Sequence, residues 1–288
     1  MTKPIKPRRS VLYMPGSNGR AIEKAKTLKA DAIILDLEDA TAPDAKDLAR
    51  AQVCAAVKER GFGKREVVIR INGLTTPWGE DDLLAVREAG PDAILVPKIS
   101  SPGELAEIEG RLGAAEIALW AMIETPKAIL NIEAIAAAGR HLACFVMGTN
   151  DLVKEFRGRH TEDRMGLAAA LTLSVAAARA YDLAVIDGVY NDIKNEAGFA
   201  DSCAQGLAFG FEGKTLIHPS QIEPCNRIFA PSAEEVDAAK KIIAAFELPE
   251  NKGKGAIALD GRMVELLHAE IARQTVALAE AIAALEAA

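Results

Sequence analysis

The stretch IALWAMIETP, residues 117–126, decides how the chain folds. Its first seven residues, Ile117 to Ile123, form an unbroken apolar run of strand length. The run stops at a carboxylate, Glu124, and Thr125 and Pro126 follow. Threonine is a favoured helix N-cap and proline a favoured first helical residue. The spacing therefore predicts a buried strand that ends at Glu124 and feeds a helix. A carboxylate there is costly to bury unless a cation or hydrogen-bond donors compensate it. The next apolar run, LACFVMG from Leu142, repeats the arrangement, with Asp151 just beyond Gly148. Two successive strand ends that each deliver an acid point to a hard cation held through oxygen, Mg2+ or Mn2+.

Outward from this stretch the same unit recurs. Strand candidates begin at Ser10, Ala32, Glu66, Ala93, Ile117, Leu142, Ala184 and Lys214. Helical patterns start near Ser17, Pro43, Glu80, Pro102, Pro126, Asp163, Glu196 and Pro219. Continuous rather than alternating apolar strands imply a parallel sheet covered on both faces. Eight strand–helix units before about residue 230 fit a (β/α)8 TIM barrel better than an open doubly wound sheet. No GxGxxG follows the first strand, which weakens a dinucleotide-binding reading further. The barrel is expected over residues 1–230 and a C-terminal helical extension over 231–288. That extension opens with a helical pattern from Ser232 to Phe246. The segment LPENKGKGAIALDGRMV follows, with a flexible first half, and a last helix runs from about Val264 to Ala288. By itself it reads as a packing appendage or a lid over an active site, with the appendage favoured.

The chain has 288 residues, half of them hydrophobic, and a net charge of -7. That is ample for a large core. The acidic balance argues against general nucleic-acid binding. No apolar run approaches the roughly 20 residues that span a bilayer, and no apolar segment of a secretory signal follows the basic N-terminus. The cysteines Cys54, Cys144, Cys203 and Cys225 form no CxxC and read as reduced core residues of a cytoplasmic protein. Residues 1–30 hold eight basic residues, Lys3, Lys6, Arg8, Arg9, Arg20, Lys24, Lys26 and Lys29, against one acid, Glu23. The segment reads either as a solvated face or as a docking surface for a phosphorylated ligand.

In a barrel of this kind chemistry sits at the C-terminal ends of the strands. Those ends carry Asp36, Glu38 and Asp39 on the second strand, Arg70 and Asn72 on the third and Lys98 on the fourth. Glu124, Asp151 and His218 end the fifth, sixth and eighth. Acids converging from the second, fifth and sixth strands repel one another unless a divalent cation neutralises them. Arg70, in an otherwise apolar strand, needs an anion. It pairs with a strand-two acid or binds a substrate carboxylate or enolate oxygen in bidentate fashion. Lys98 reads as an ion-pair partner of the same acids before it reads as a Schiff-base lysine. His218, ahead of Pro219, reads as a loop-ordering residue.

Several segments together resemble the citrate lyase beta-subunit-like CoA-ester lyases of the HpcH/HpaI aldolase superfamily, in the malyl-CoA lyase and thioesterase branch. They are RRSVLYMPGSN at Arg8, ILDLEDATAPDAK at Ile34, VIRING at Val68, VPKI at Val96 and IET at Ile123. GTNDL at Gly148, IHPSQI at Ile217 and LDGRMV at Leu259 continue the series. The resemblance covers nearly the whole chain in order. It implies Mg2+ held by Glu124 and Asp151, and Arg70 on the oxo-acid. It implies coenzyme A contacts from Tyr13, Arg20 and Lys24. It implies that the C-terminal extension acts as a lid on a neighbouring subunit of a trimer or hexamer, supplying Asp260 in trans as acid/base. Glu38 and Asp39 then orient metal-bound water as a second shell. The implied reaction is reversible carbon–carbon cleavage of malyl-CoA to acetyl-CoA and glyoxylate. The alternatives are hydrolysis to malate and CoA on the same site, an aldolase for free oxo-acids, and a carrier-dependent citrate lyase subunit. Gly148-Thr149-Asn150 departs from the tripeptide of many relatives, which bears on substrate choice.

Overall fold

Eight parallel strands close on themselves in sequence order, so that the first pairs with both the second and the eighth. They are β1 Ser10–Pro15, β2 Ala32–Asp36, β3 Glu66–Arg70, β4 Ala93–Val96, β5 Ala118–Ile123, β6 Leu142–Met147, β7 Ala184–Asp187 and β8 Gly213–Leu216. The computed structural model of the chain describes residues 5–287. Lys3 of the basic segment and Ala288 of the expected last helix lie outside the described residues. All eight strands coincide with the apolar runs of the sequence, within a few residues at each end.

The helices between the strands are α1 Gly19–Ala25, α2 Lys46–Glu59, α3 Gly79–Ala89, α4 Pro102–Leu112, α5 Pro126–Leu130 and α6 Ile132–Ala138. After them come α7 Thr149–Glu155, α8 Ala168–Ala180, α9 Glu196–Phe209 and α10 Ile222–Phe229. Local chemistry fixes several starts. Thr125 caps α5 by accepting from the Ala128 amide, with Pro126 first in the helix, as the opening stretch predicts. Ser101 and Glu104 form a reciprocal capping box at α4.

Strand periodicity divides the core into two layers. Val11, Ile34, Val68, Leu95, Trp120 and Val146 fill the barrel interior. Residues of opposite parity, such as Leu12, Leu35, Ile69 and Ile94, pack outward against the helices. At the N-terminal ends of the strands Arg8 bonds Glu66 at 2.6 and 3.0 Å and lies over the Trp120 ring at 5.2 Å. Arg9 binds Asp31 through its guanidinium and its own amide. These two arginines of the basic segment are therefore structural ties rather than docking groups. Lys26 likewise bridges Glu23 and Glu59.

The described residues divide into two compact units, residues 8–229 and residues 5–7 with 230–287. In the second, α11 Ala233–Glu247 packs on α12 Leu266–Glu286, and between them in sequence lies an antiparallel hairpin, β9 Ala256–Leu259 and β10 Arg262–Glu265. The hairpin occupies the second half of the segment read as having a flexible first half. Its two turn residues, Asp260 at φ 51° and Gly261 at φ 76°, are both left-handed, the pattern of a type I′ hairpin turn. Among the described residues no helix is long and apolar enough to cross a membrane.

Candidate active site

Inward parity carries three strands from core into chemistry. Ile34 and Asp36 share the inner side of β2, Val68 and Arg70 that of β3, and Trp120, Met122 and then Glu124 that of β5. Register places Asp36 directly beside Arg70. Arg70 Nε and Nη2 donate to Asp36 Oδ1 and Oδ2 at 2.6 and 2.7 Å. Nη1 lies 2.8 Å from Glu38 Oε2 and 3.7 Å from the Met122 sulfur. The guanidinium stands over the Tyr13 ring at 4.9 Å, and the residue is only 7% exposed. The bidentate face expected to grip a substrate is thus spent on Asp36, because neighbouring strands deliver the two groups in register. Only the Nη1 edge is not committed to Asp36.

Tyr13 does not stand with Arg20 and Lys24. It belongs to the barrel interior beneath Arg70, and its hydroxyl is buried without a hydrogen-bond partner among the described residues. Burial raises its pKa well above the usual phenol value. Arg20 and Lys24 are exposed one turn apart on α1.

Glu38 is buried with both oxygens facing cations, Oε2 to Arg70 and Oε1 to Lys98 Nζ at 2.6 Å. Two nearby cations thus compensate the buried carboxylate directly. Burial still raises its pKa, against the pull of Arg70. Asp39 is exposed at the next position. Lys98 takes the ion-pair role foreseen for it. Its amide also donates to Glu124 Oε1 at 2.7 Å. His218 orders its loop, bonding Ser220 through Nδ1.

Glu124 is 1% exposed. Burial above all, with the charges of Glu38 and Asp151, raises its pKa to about 8 against the pull of the Lys98 amide. A β-carbon built on Gly148 would stand 2.4 Å from Glu124 Cβ and 2.5 Å from Oε2, so the glycine makes room for the carboxyl. Asp151 is half-buried in the first turn of α7 rather than on the strand end, because the chain turns helical at Thr149. Its charge is close enough to act on Glu124. Among the described residues no three His, Cys, Asp or Glu side chains are grouped to hold a metal. The donor set fits a hard divalent cation nonetheless. Mg2+ is commonly bound by one or two carboxylates, with water and substrate oxygens completing the shell. A buried carboxylate this unfavourable as an anion is what a cation would stabilise.

Two groups escape a reading of strand ends. Lys46, buried at the start of α2, donates to the carbonyls of Leu37 and Glu38 at 2.7 Å each and to Asn72 Oδ1 at 2.8 Å. It thereby holds the loop that carries Glu38. Nothing in the sequence marks it, since a lysine opening an amphipathic helix reads as solvated. Asp187 ends β7 as an acid after an apolar run, a signal equal to that of Glu124. It faces the helix layer, bonded by Arg164 at 2.7 Å and Lys214 at 2.8 Å.

A closed (β/α)8 barrel with a cluster of acids and cations at its C-terminal mouth defines an enzyme of the TIM-barrel class. The profile of the HpcH/HpaI aldolase/citrate lyase family matches residues 9–219, and the chain belongs to that family. It is 50% identical over 281 residues, 98% of each chain, to a (3S)-malyl-CoA thioesterase of Cereibacter sphaeroides. It is 34% identical to the citrate lyase subunit beta of Escherichia coli over 90% of this chain and 88% of that one. Among solved structures, protein CitE of Mycobacterium tuberculosis in complex with magnesium, acetoacetate and coenzyme A superposes with a TM-score of 0.76. It is 28% identical, covering 94% of this chain and 97% of that one.

Proposed function

We propose that the protein hydrolyses a malyl-CoA-type hydroxyacyl-CoA ester to malate and CoA with the help of a divalent cation. The observation that carries the reading is Glu124, a buried carboxylate beside Asp151 and Glu38, in a chain half identical along its length to a (3S)-malyl-CoA thioesterase. A Mg2+ or Mn2+ ion held by Glu124 and Asp151 would supply Lewis-acid stabilisation of negative charge developing on substrate oxygens. Asp36 holds Arg70 so that its Nη1 edge faces the carboxylate of the malyl end. Arg20 and Lys24 offer two positive charges to the phosphates of coenzyme A. Asp260 of a neighbouring copy takes the proton of the attacking water. The oxygen bonds to the thioester carbon, the carbon–sulfur bond breaks, and the sulfur leaves as the protonated thiol.

The citrate lyase relatives favour a second reading with the same groups. There the hydroxyl gives its proton to solvent, the carbon–carbon bond breaks to give glyoxylate and the acetyl-CoA enolate, and Asp260 in its protonated form delivers a proton to the enolate carbon.

The test is to incubate the protein with malyl-CoA and Mg2+, with and without EDTA, and identify the products. Malate and free CoA, lost with EDTA, support hydrolysis. Glyoxylate and acetyl-CoA replace it with carbon–carbon cleavage. Turnover that persists unchanged in EDTA overturns the metal-dependent site.

A further inference from the structure

Resting on the malyl-CoA reading, we infer that Lys46 is a positioning residue for the carboxylate contact at Arg70. It holds the turn after β2 so that Glu38 neutralises Arg70 without taking the hydrogen bonds that the substrate needs. Lys46 is 6% exposed. An ammonium carries three donors, and here all three are spent inside the protein, on the carbonyls of Leu37 and Glu38 at 2.7 Å each and on Asn72 Oδ1 at 2.8 Å. Lys46 therefore does not grip a ligand itself. What it grips is two consecutive carbonyls, which fixes the peptide units on either side of Glu38. Asp36 holds the same turn from within, accepting from the amides of Glu38 at 2.9 Å and Ala40 at 3.0 Å. Asn72 passes the anchorage on. Its Nδ2 and its own amide donate to Asp82 at 2.6 and 3.0 Å, and Arg50 of α2 binds Asp82 at 2.7 Å.

Glu38 Oε2 stands 2.8 Å from Arg70 Nη1, yet it accepts no hydrogen bond among the described residues. The contact balances charge without alignment. Nη1 donates instead toward the Met122 sulfur at 3.7 Å, a weak acceptor on the inner side of β5, two residues before Glu124. A stronger acceptor arriving beside Glu124 would find that donor available. The other oxygen of Glu38, Oε1, takes its bond from Lys98 at 2.6 Å. Lys98 is itself fixed in a left-handed conformation, φ 55°, with its amide on Glu124. Glu38 is thus held at two points, by Lys46 through its backbone and by Lys98 through its carboxylate. Released at the backbone, the carboxylate would turn onto Nη1 in a charge-assisted hydrogen bond, and the substrate would meet an occupied arginine.

Lys46→Met removes the three donors and keeps the length of the side chain. Calorimetry follows the binding of (S)-malate in the presence of Mn2+, of Mn2+ alone and of free coenzyme A, and turnover of malyl-CoA gives KM and kcat. The expected result is a roughly ten- to hundredfold loss of malate affinity, as for a hydrogen bond to a charged group. KM should rise in step, with kcat near native. Mn2+ and coenzyme A affinities should hold. In a Glu38→Ala background the same substitution should cost no malate affinity, because the competing carboxylate is gone. Lys46→Gln, whose amide still partners a carbonyl, carries the same cycle if Lys46→Met does not fold. Native-like malate affinity in the Lys46 variant overturns the inference. So does an equal loss with and without Glu38, or a parallel loss of Mn2+ affinity, either of which makes Lys46 a general support of the fold. A native protein that binds neither coenzyme A nor malate overturns the malyl-CoA reading, and the inference falls with it.

Discussion

Arg70 gives two of its nitrogens to a single carboxylate, Asp36, across adjacent strands at 2.6 and 2.7 Å, and both residues are buried. Removing one partner leaves the other charged and dry. Asp36→Ala should lower unfolding stability by about 3–5 kcal/mol, the usual cost of breaking a buried pair. Asp36→Asn, which retains hydrogen-bond capacity, should lose less stability yet still lose turnover, because Arg70 is no longer held in one orientation. Urea unfolding beside product assays checks both. An Asp36→Ala protein as stable as the native one would remove the pair from the architecture of the site.

Gly148 tests the metal site from the backbone side. A methyl group there would collide with the Glu124 side chain rather than with a mobile neighbour. Gly148→Ala should displace the carboxyl and weaken Mn2+ binding roughly ten- to a hundredfold, as mutations supporting a metal ligand do. Circular dichroism should stay near native, since Gly148 itself is not left-handed. Titration with Mn2+ followed by paramagnetic resonance gives the answer.

The raised pKa of Glu124 has two consequences of opposite direction. In metal-free protein the folded state keeps its proton to about pH 8, while the unfolded state releases it near the ordinary 4.5. Between those values the unfolded chain binds fewer protons, so the contribution of Glu124 to stability falls as pH rises. Metal binding requires the carboxylate and expels that proton. Mn2+ affinity should therefore rise with pH, by roughly tenfold per unit, and level off above about 8. Glu124→Gln should abolish the pH-dependent part of both curves.

Asp260→Asn separates chemistry from folding. Asn-Gly suits a type I′ turn as well as Asp-Gly does, so the hairpin should form unchanged. Turnover should fall roughly 10²- to 10⁴-fold, the usual contribution of a general acid or base. Mn2+ and coenzyme A affinity should hold. Retained turnover in this variant would assign the proton transfer to another group.

The barrel was legible because each strand is an apolar run with punctuation at its ends, and that pattern is local. The pairing of Arg70 with Asp36 was not decided, because it depends on register between two strands, which no single run encodes. Helix α7 escaped notice because seven residues are too few to show a helical period, so Asp151 was placed on a strand end. The family resemblance groups Tyr13 with Arg20 and Lys24 as coenzyme A contacts. The inward parity of Tyr13, shared with Val11, was available and would have placed it in the barrel. The Asp260-Gly261 pair is a hairpin signal by itself, obscured by the Gly- and Lys-containing segment before it.

The left-handed conformation of Lys98 also sets a direction for change under selection. A glycine at that position would relieve local strain and keep the hydrogen bond to Glu124, but it would leave the buried Glu38 carboxylate with Arg70 in place of two cations. Laboratory evolution for heat resistance alone should therefore replace Lys98 only together with Glu38, so that the strain is relieved without stranding a buried charge.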